Sequence, residues 1–469
     1  MLPVSPKVSD SDRFLWLSAG SVALVLFLAA SARHLLFQST ALDLGWFDQA
    51  IYLISRGENP VVSFSGMHIL GDHAALTVYP LALFYKLFPS VYWLLAIQAL
   101  ALASAAWPLW YWGEGLGLNL GEKKVLIWIY FLYPLVFNLN LFDFHTEVLA
   151  LPALFWALWA VQGQRWGHYF SAVLLILASK AVLSLTIIFL GIWLLFWQKG
   201  KRVGAVTLGL GVAWFLIASK VIIPQFSGKE VAAVGRYSYL GDSVGEILQN
   251  LVFKPQLFLG QLFTLDNAFY LLLLTLPVLW GLVPSTWRNW SLLIPAFPAL
   301  FLNLITPYLP QKDLIHQYSL TIFPFLILLA MTHYQEKRSW LRHPRWLLLW
   351  SFITFLALAK FGYFGERYLS NWPQLPALRS AVSQIPPQAS VLTAPNIAPH
   401  LSHRPQIQLV IRENEPFNLT QYEFILLNQA NPAWENAQGT VDSLISTLRS
   451  RPDFELVEEN GPVILFQRR

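Results

Sequence analysis

Two carboxylates, Asp43 and Asp48, follow the first long apolar run in the stretch Asp43-Leu44-Gly45-Trp46-Phe47-Asp48-Gln49. His68, Asp72 and His73 come after them in the same connecting segment. A second polar cluster, Asp143-Phe144-His145-Thr146-Glu147, lies between two later apolar runs, and Lys180 stands in the middle of a third. Ionisable groups at or inside a bilayer are costly unless paired or used. Such groups can move a proton at a substrate hydroxyl, hold a metal, or neutralise a departing anion.

Spacing narrows the roles. Asp48 is five residues past Asp43, more than one helical turn and well off the same face, which argues against a dyad sharing one proton. One of the two would act on substrate while the other orients a partner or metal. The plainer role for Asp43 is a helix N-cap. His68, Asp72 and His73 could ligate a metal but match no standard zinc spacing, and histidines that only hydrogen-bond are the plain alternative. Asp143, His145 and Glu147 carry more weight, because an isolated snorkelling charge needs no ionisable neighbours. Lys180 requires an anionic partner, either Glu147 or a substrate headgroup. Arg236 and Tyr237 offer a guanidinium and a phenol to a phosphate or sugar, though a structural turn explains them equally well. His316, Gln317 and Tyr318 repeat that signal more weakly.

These groups sit in a chain of 469 residues, 56% hydrophobic and 12% charged, which is the composition of a multispanning membrane protein. The net charge of +5 comes from basic residues in short loops between apolar runs. That is the positive-inside pattern and not a nucleic-acid patch. Cysteine is absent, so disulfide and thiol chemistry are excluded. The first apolar run lacks a small-residue cleavage site and reads as an uncleaved helix.

Apolar runs at 14–37, 91–112, 125–141, 148–161 and 203–223 predict spans, with later ones at 257–283, 292–309, 314–333 and 347–363. The run 169–197 reads as two short crossings that meet near Lys180. In all, about eleven spans are expected, with interfacial helices at 43–56 and 74–88. Grouping alternate loops places Lys123, Lys124, Arg165, Arg288 and Arg345 on the cytoplasmic side. The acidic loops and everything after the last span then lie outside, with the N-terminus on the cytoplasmic side of the plasma membrane. Residues 1–365 are expected to form the membrane domain and 366–469 a small extracytoplasmic α/β domain. In the latter, β-type runs at 390–393, 406–411, 424–427, 454–457 and 463–466 accompany a helix-like stretch at 441–449.

In order along the chain, the motifs resemble the bacterial domain-of-unknown-function family two-zero-seven-nine. They are the Asp43–Gln49 stretch, Gly71-Asp72-His73, Phe142–Glu147, Arg236-Tyr237-Ser238-Tyr239-Leu240-Gly241, Gln317-Tyr318-Ser319 and Pro399-His400-Leu401-Ser402. That family looks like a branch of the GT-C glycosyltransferases. The resemblance implies a polyprenyl-phosphate sugar as donor and an acid in the first outer loop as base, matched here by Asp43. It also implies a second outer-loop acid, matched by Asp143. Where the family commonly has Lys-Glu-Asp, this chain has Lys180-Ala181-Val182, a departure that bears on substrate or activity.

The expected function is therefore inverting hexosyl or pentosyl transfer from a lipid-linked donor to an extracytoplasmic acceptor. Asp43, Asp48 and Asp143 are the catalytic candidates, and Lys180, Arg236, Tyr237, Gln317 and Tyr318 the substrate-binding ones. His73, His145 and Glu147 are candidate ligands for a divalent metal, Mg or Mn. The competing readings are a lipid or glycan transporter or flippase, with its site near mid-membrane, and a non-catalytic scaffold with an outer binding domain.

Overall fold

The computed structural model describes residues 10–198, 200–229, 231–410, 417–432 and 438–469. Helix α1 (Asp10–Leu35) is followed by a π-helical turn, Ala41–Gly45, that runs straight into α2 (Trp46–Arg56). Gly57, at φ +76°, stops α2 by returning its N–H to the Leu53 and Ile54 carbonyls, a left-handed cap that a side chain would strain. A small hairpin, β1 (Val61–Val62) and β2 (Met67–His68), leads to α3 (Ile69–His73) and α4 (Val78–Leu87).

The next helices are α5 (Tyr92–Ser104) with α6 (Ala106–Gly115), and α7 (Leu120–Phe131) with α8 (Pro134–Leu141). Asn119 and Glu122 form a reciprocal capping box that starts α7, at 3.0 and 2.9 Å, an arrangement worth about 1 kcal/mol. Helices α9 (Ala150–Gln162), α10 (Trp166–Ser179), α11 (Leu183–Trp197) and α12 (Lys201–Ile217) follow. As the sequence predicts, α10 and α11 are two short apolar helices that break at Lys180, whose backbone is extended. Helices α11 and α12 approach closely because glycines line the contact. A Cβ on Gly204 would lie 2.8 Å from the Leu195 nitrogen.

Four described helical stretches are long and apolar enough to cross a membrane: Asp10–Leu35, Tyr92–Gly115, Leu120–Leu141 and Lys201–Ser227. All four match expected spans. Two bent pairs would bring the number to six, Gln256–Leu262 with Leu265–Gly281 at 57° and Pro344–Leu358 with Phe361–Gln384 at 42°. The run expected at 292–309 is instead a 3-10 stretch, Ser291–Ala296, and a short helix, Phe297–Ile305. Pro295 and Pro298 account for this, since each removes a backbone donor.

Near the C-terminus a five-stranded mixed sheet forms from β3 (Val391–Thr393), β4 (Ile407–Leu409), β5 (Phe424–Asn428), β6 (Phe454–Asn460) and β7 (Val463–Arg468). The strand order is β4-β3-β5-β7-β6. Strand β3 runs parallel to both β4 and β5, while β7 is antiparallel to β5 and β6. Each β-type run of the sequence thus contributes a strand, although Ile411, at the end of the run 406–411, lies outside the described residues. The two faces alternate as a strand's two-residue period requires. Leu392, Ile425, Leu427, Ile464 and Phe466 pack on helix Gln438–Ser450 through Val441, Leu444 and Leu448.

The opposite face holds Val391, Phe424, Leu426, Val463 and Leu465. These residues share one core with Leu378 and with Ala41, Leu44, Phe47 and Ile51 of the first loop. Helix α2 consequently departs from the expected amphipathic helix lying on the membrane. Its residues Trp46 through Leu53 are all buried, because one side meets α4 and the other the C-terminal unit.

Candidate functional site

The π-turn puts Asp43 inside the helical entry, so the N-cap position falls to Thr40. Thr40 is a hinge between two acids. Its hydroxyl donates to Asp43 at 2.8 Å and its backbone N–H to Asp143 at 2.9 Å. His145 Nε2 approaches the other Asp43 oxygen at 3.2 Å, and its Nδ1 lies 3.2 Å from the Asp143 carbonyl. Burial pushes the Asp43 carboxyl up, but the hydrogen bond and charge of His145 outweigh it and hold the group below the usual range. Burial likewise pushes the His145 imidazole down, and Asp43 more than compensates. Both partners are therefore biased to their charged forms.

Asp43 and Asp143 are thus brought to one place, but in different states. The Asp43 side chain is 25% exposed; that of Asp143 is 1% exposed and paired with Arg33 at 3.1 Å. Arg33 was not legible as a site residue, yet it also donates to the carbonyls of Gln38 and Leu141. Its position in the last turn of an apolar helix was the available signal, since such a charge needs a partner. Burial raises the Asp143 carboxyl in spite of Arg33. Asp143 adopts φ +83°, a left-handed conformation that costs about 1–2 kcal/mol. Gln98 braces it, donating to the Asp143 carbonyl at 2.9 Å and accepting from the His145 N–H at 3.1 Å. The geometry makes Asp143 a brace for the loop and leaves Asp43 as the accessible acid.

Asp48 goes elsewhere. On the far side of α2 it receives Tyr85 Oη at 2.5 Å, Ser402 Oγ, and His403 Nε2 at 3.0 Å. Its side chain is 1% exposed, so the catalytic role considered for it has no open face. Although Ser402, His403 and Asp48 have the composition of a hydrolytic triad, Asp48 touches both partners. A triad instead runs serine, histidine, acid.

The substrate-binding candidates do converge. Lys180, Arg236, Tyr237, Gln317 and Tyr318 line one cavity of about 240 Å³, together with Asp72, His73 and Glu147. Lys180 Nζ is bonded to Glu147 Oε1, both side chains being at most 10% exposed. Arg236 has no carboxylate partner among the described residues. It lies 4.8 and 4.9 Å from the Tyr308 and Tyr318 rings and donates to Gln311 at 3.2 Å. Ring faces and an amide leave a guanidinium free to bind an anion. Ala181 and Val182 also line the cavity, so the departure at those positions changes its wall. None of Asp43, Asp48 and Asp143 lines it. The link between them is His145, which pairs with Asp43 and lies within the fields of Glu147 and Lys180.

The expected metal ligands do not assemble. Among the described residues no group of three or more acids or histidines could hold a metal ion. His145 is committed to Asp43 and Glu147 to Lys180, while His73 pairs with Asp72 at 3.1 Å. His68 accepts from the Leu70 N–H at 3.1 Å and stacks on Phe226, capping α3. Among the described residues the three candidate ligands are therefore each engaged with a different partner.

The fold is shared with ArnT from Cupriavidus metallidurans bound to undecaprenyl phosphate, with a TM-score of 0.50 at 11% identity over 96% of this chain and 97% of that one. The apo state of the same protein aligns at a TM-score of 0.43 and 9% identity, over 98% of each chain. Among curated proteins no relative matches. Residues 33–465 match a family described as predicted membrane protein (DUF2079). With nearly the whole chain matched and several membrane-length helices present, the protein belongs to that family of membrane proteins.

Proposed function

We propose that the protein is a GT-C-like glycosyltransferase of the plasma membrane that takes a sugar from a polyprenyl-phosphate donor. The observation that carries this reading is the cavity in which Lys180, Arg236, Tyr237, Gln317 and Tyr318 meet from separate parts of the chain. Undecaprenyl phosphate is bound by the ArnT structure that shares this fold. An anionic headgroup would lie against Arg236, the cavity's cation without a carboxylate partner among the described residues. Lys180 contributes less, because Glu147 already offsets its charge.

In the proposed reaction Asp43 accepts the proton of an acceptor hydroxyl. The acceptor oxygen bonds to the anomeric carbon while the bond to phosphate breaks, and the phosphate leaves with the electron pair. Attack opposite the leaving group inverts the anomeric centre. His145 holds Asp43 ionised, and Arg236 and Lys180 offset the charge that develops on the phosphate. The site would face the outside, with the N-terminus in the cytoplasm, and α10 with α11 would cross as a broken pair. The test is turnover of a polyprenyl-phosphate sugar by protein in proteoliposomes. Transfer or hydrolysis of the sugar is expected, and unchanged activity in Asp43→Asn would remove that residue from the mechanism.

A further inference from the structure

The first loop and the C-terminal unit are bonded at every level of the turn that carries Asp43. Before the turn, the Phe37 carbonyl accepts from Asn371 at 3.1 Å and Asn396 at 3.3 Å. Inside it, the Ala41 N–H donates to the Pro395 carbonyl at 2.8 Å. After it, Asp48 receives Ser402 and His403. One residue on, Gln49 donates to the Arg404 carbonyl at 2.9 Å. Ser63, hydrogen-bonded to Gln49, exchanges bonds with both the N–H and the carbonyl of Ile407 on the edge strand β4.

We propose that Asp48, Ser402 and His403 are positioning residues that lock the C-terminal unit onto α2 and so fix the turn presenting Asp43. Asp48 is the hub of this contact because it is the buried charge. An unpaired carboxylate that is 1% exposed would be strongly unfavourable, so the two segments separate only at the cost of stranding it. His403 stacks on Tyr52 with ring centroids 4.9 Å apart and meets Tyr85 edge-on at 5.7 Å, which fixes the ring facing Asp48. The groups that face His403 are Asp48, Tyr85 and Tyr52, with Arg404 and His34 close enough to oppose its charge. Burial lowers the His403 imidazole, but Asp48 raises it by more. In the same way burial raises Asp48, and His403 with its hydrogen-bonding neighbours brings it down. The lock therefore holds between the depressed Asp48 pKa and the elevated His403 pKa, and loosens as pH rises through the latter.

For turnover, the inference rests on the proposed glycosyl transfer; for structure, it does not. Amide exchange of the full-length protein in lipid nanodiscs, from about pH 5 to about pH 9, separates the two. Expressed as protection factors, residues 41–56 should lose about tenfold protection in His403→Gln and in Ser402→Ala/His403→Gln at the acid end. Helix Phe323–Gln335 should be unchanged. The wild type should approach the variants as pH rises, and His403→Gln should be flat. Unchanged protection of 41–56 in the single variant overturns the proposal. If the double variant also loses Phe323–Gln335, the wild-type profile decides, and a flat one overturns the proposal. In proteoliposomes, His403→Gln should lower kcat with little change in donor KM. A wild type that turns over no lipid-linked sugar defeats the functional reading and leaves the exchange result standing.

Discussion

Asp43 and Asp48 leave the same short helical segment on opposite sides and meet two different environments. Around Asp43 the chain builds a network in which Asp43 and Thr40 are half-buried and the other members are buried. Arg33, Asp143, Thr40 and Gln98 are satisfied among themselves, and Asp43 with His145 remains at the edge. Around Asp48 both carboxylate oxygens are engaged by Tyr85, Ser402 or His403, and the carboxylate itself has no open face for a ligand, although the His403 ring is partly exposed. Buried polar networks of either kind are satisfied internally. What distinguishes a candidate reactive acid is that its own carboxylate stays open, 25% exposed at Asp43 against 1% at Asp48. The difference lies in which side of α2 the C-terminal unit covers.

The comparison breaks first at Asp43 itself. Asp43→Asn should reduce sugar transfer by about 100-fold or more, the usual range for loss of an acid–base group. Its melting temperature should change little, because a partly exposed pair contributes little stability. A stability loss without an activity loss would place Asp43 with Asp48. Next comes Arg33→Ala, which strands the Asp143 carboxylate. Breaking a buried pair typically costs about 3–5 kcal/mol, read by thermal unfolding in detergent, and Asp143→Asn in the same chain should recover part of it. Arg236→Gln should raise the donor KM by about tenfold with a smaller change in kcat, the signature of lost binding. An equal fall in kcat and kcat/KM would instead place Arg236 in the transition state.

The smallest effect concerns pH. His403 is raised in the folded protein, so its contribution to stability is complete below its unfolded value of about 6.5 and is lost as pH rises through the folded pKa. Asp48 is depressed, so the pair is also lost in acid, once pH falls through that folded value. A melting series should show both limbs in the wild type and lose the alkaline one in His403→Gln. The amplitude should stay within about 1 kcal/mol, since His403 is partly exposed.

Of about eleven expected spans, four, or six with the bent pairs, are membrane-length helices that could be read from apolar runs, because span length is a local property of the chain. The strands were equally legible: the short apolar runs of β3, β5 and most of β7 are buried on both faces, while β6 is largely exposed. The Lys180 break followed from one charge at the centre of an apolar run. Partner choice was harder to read. Asp43 and Asp48 looked equivalent until Ser402 and His403, far away in sequence, claimed one of them. The motif Pro399-His400-Leu401-Ser402 was visible but had no role, since nothing local says that Gly45 faces Pro399 so closely that an added Cβ would lie 3.6 Å from its side chain. The proline-rich run 292–309 read as a span because hydropathy does not register missing N–H groups.

The sheet order has a consequence for how the protein is made. The turn bearing Asp43 is translated before residues 395–407, whose carbonyls help to hold it and the adjoining helix. Those residues connect β3 to β4 of a sheet in which one inner strand, β7, is the last in sequence. Between β5 and β6, β7 supplies the antiparallel pairing on both sides. The contacts that Pro395, Arg404 and Ile407 make to the first loop therefore come after those of Asp143 and His145, which hold Thr40 and Asp43 from earlier in the chain. Synthesis that stops short of Val463 would remove the strand with which both β5 and β6 pair, while Thr40 and His145 would still be present to hold Asp43.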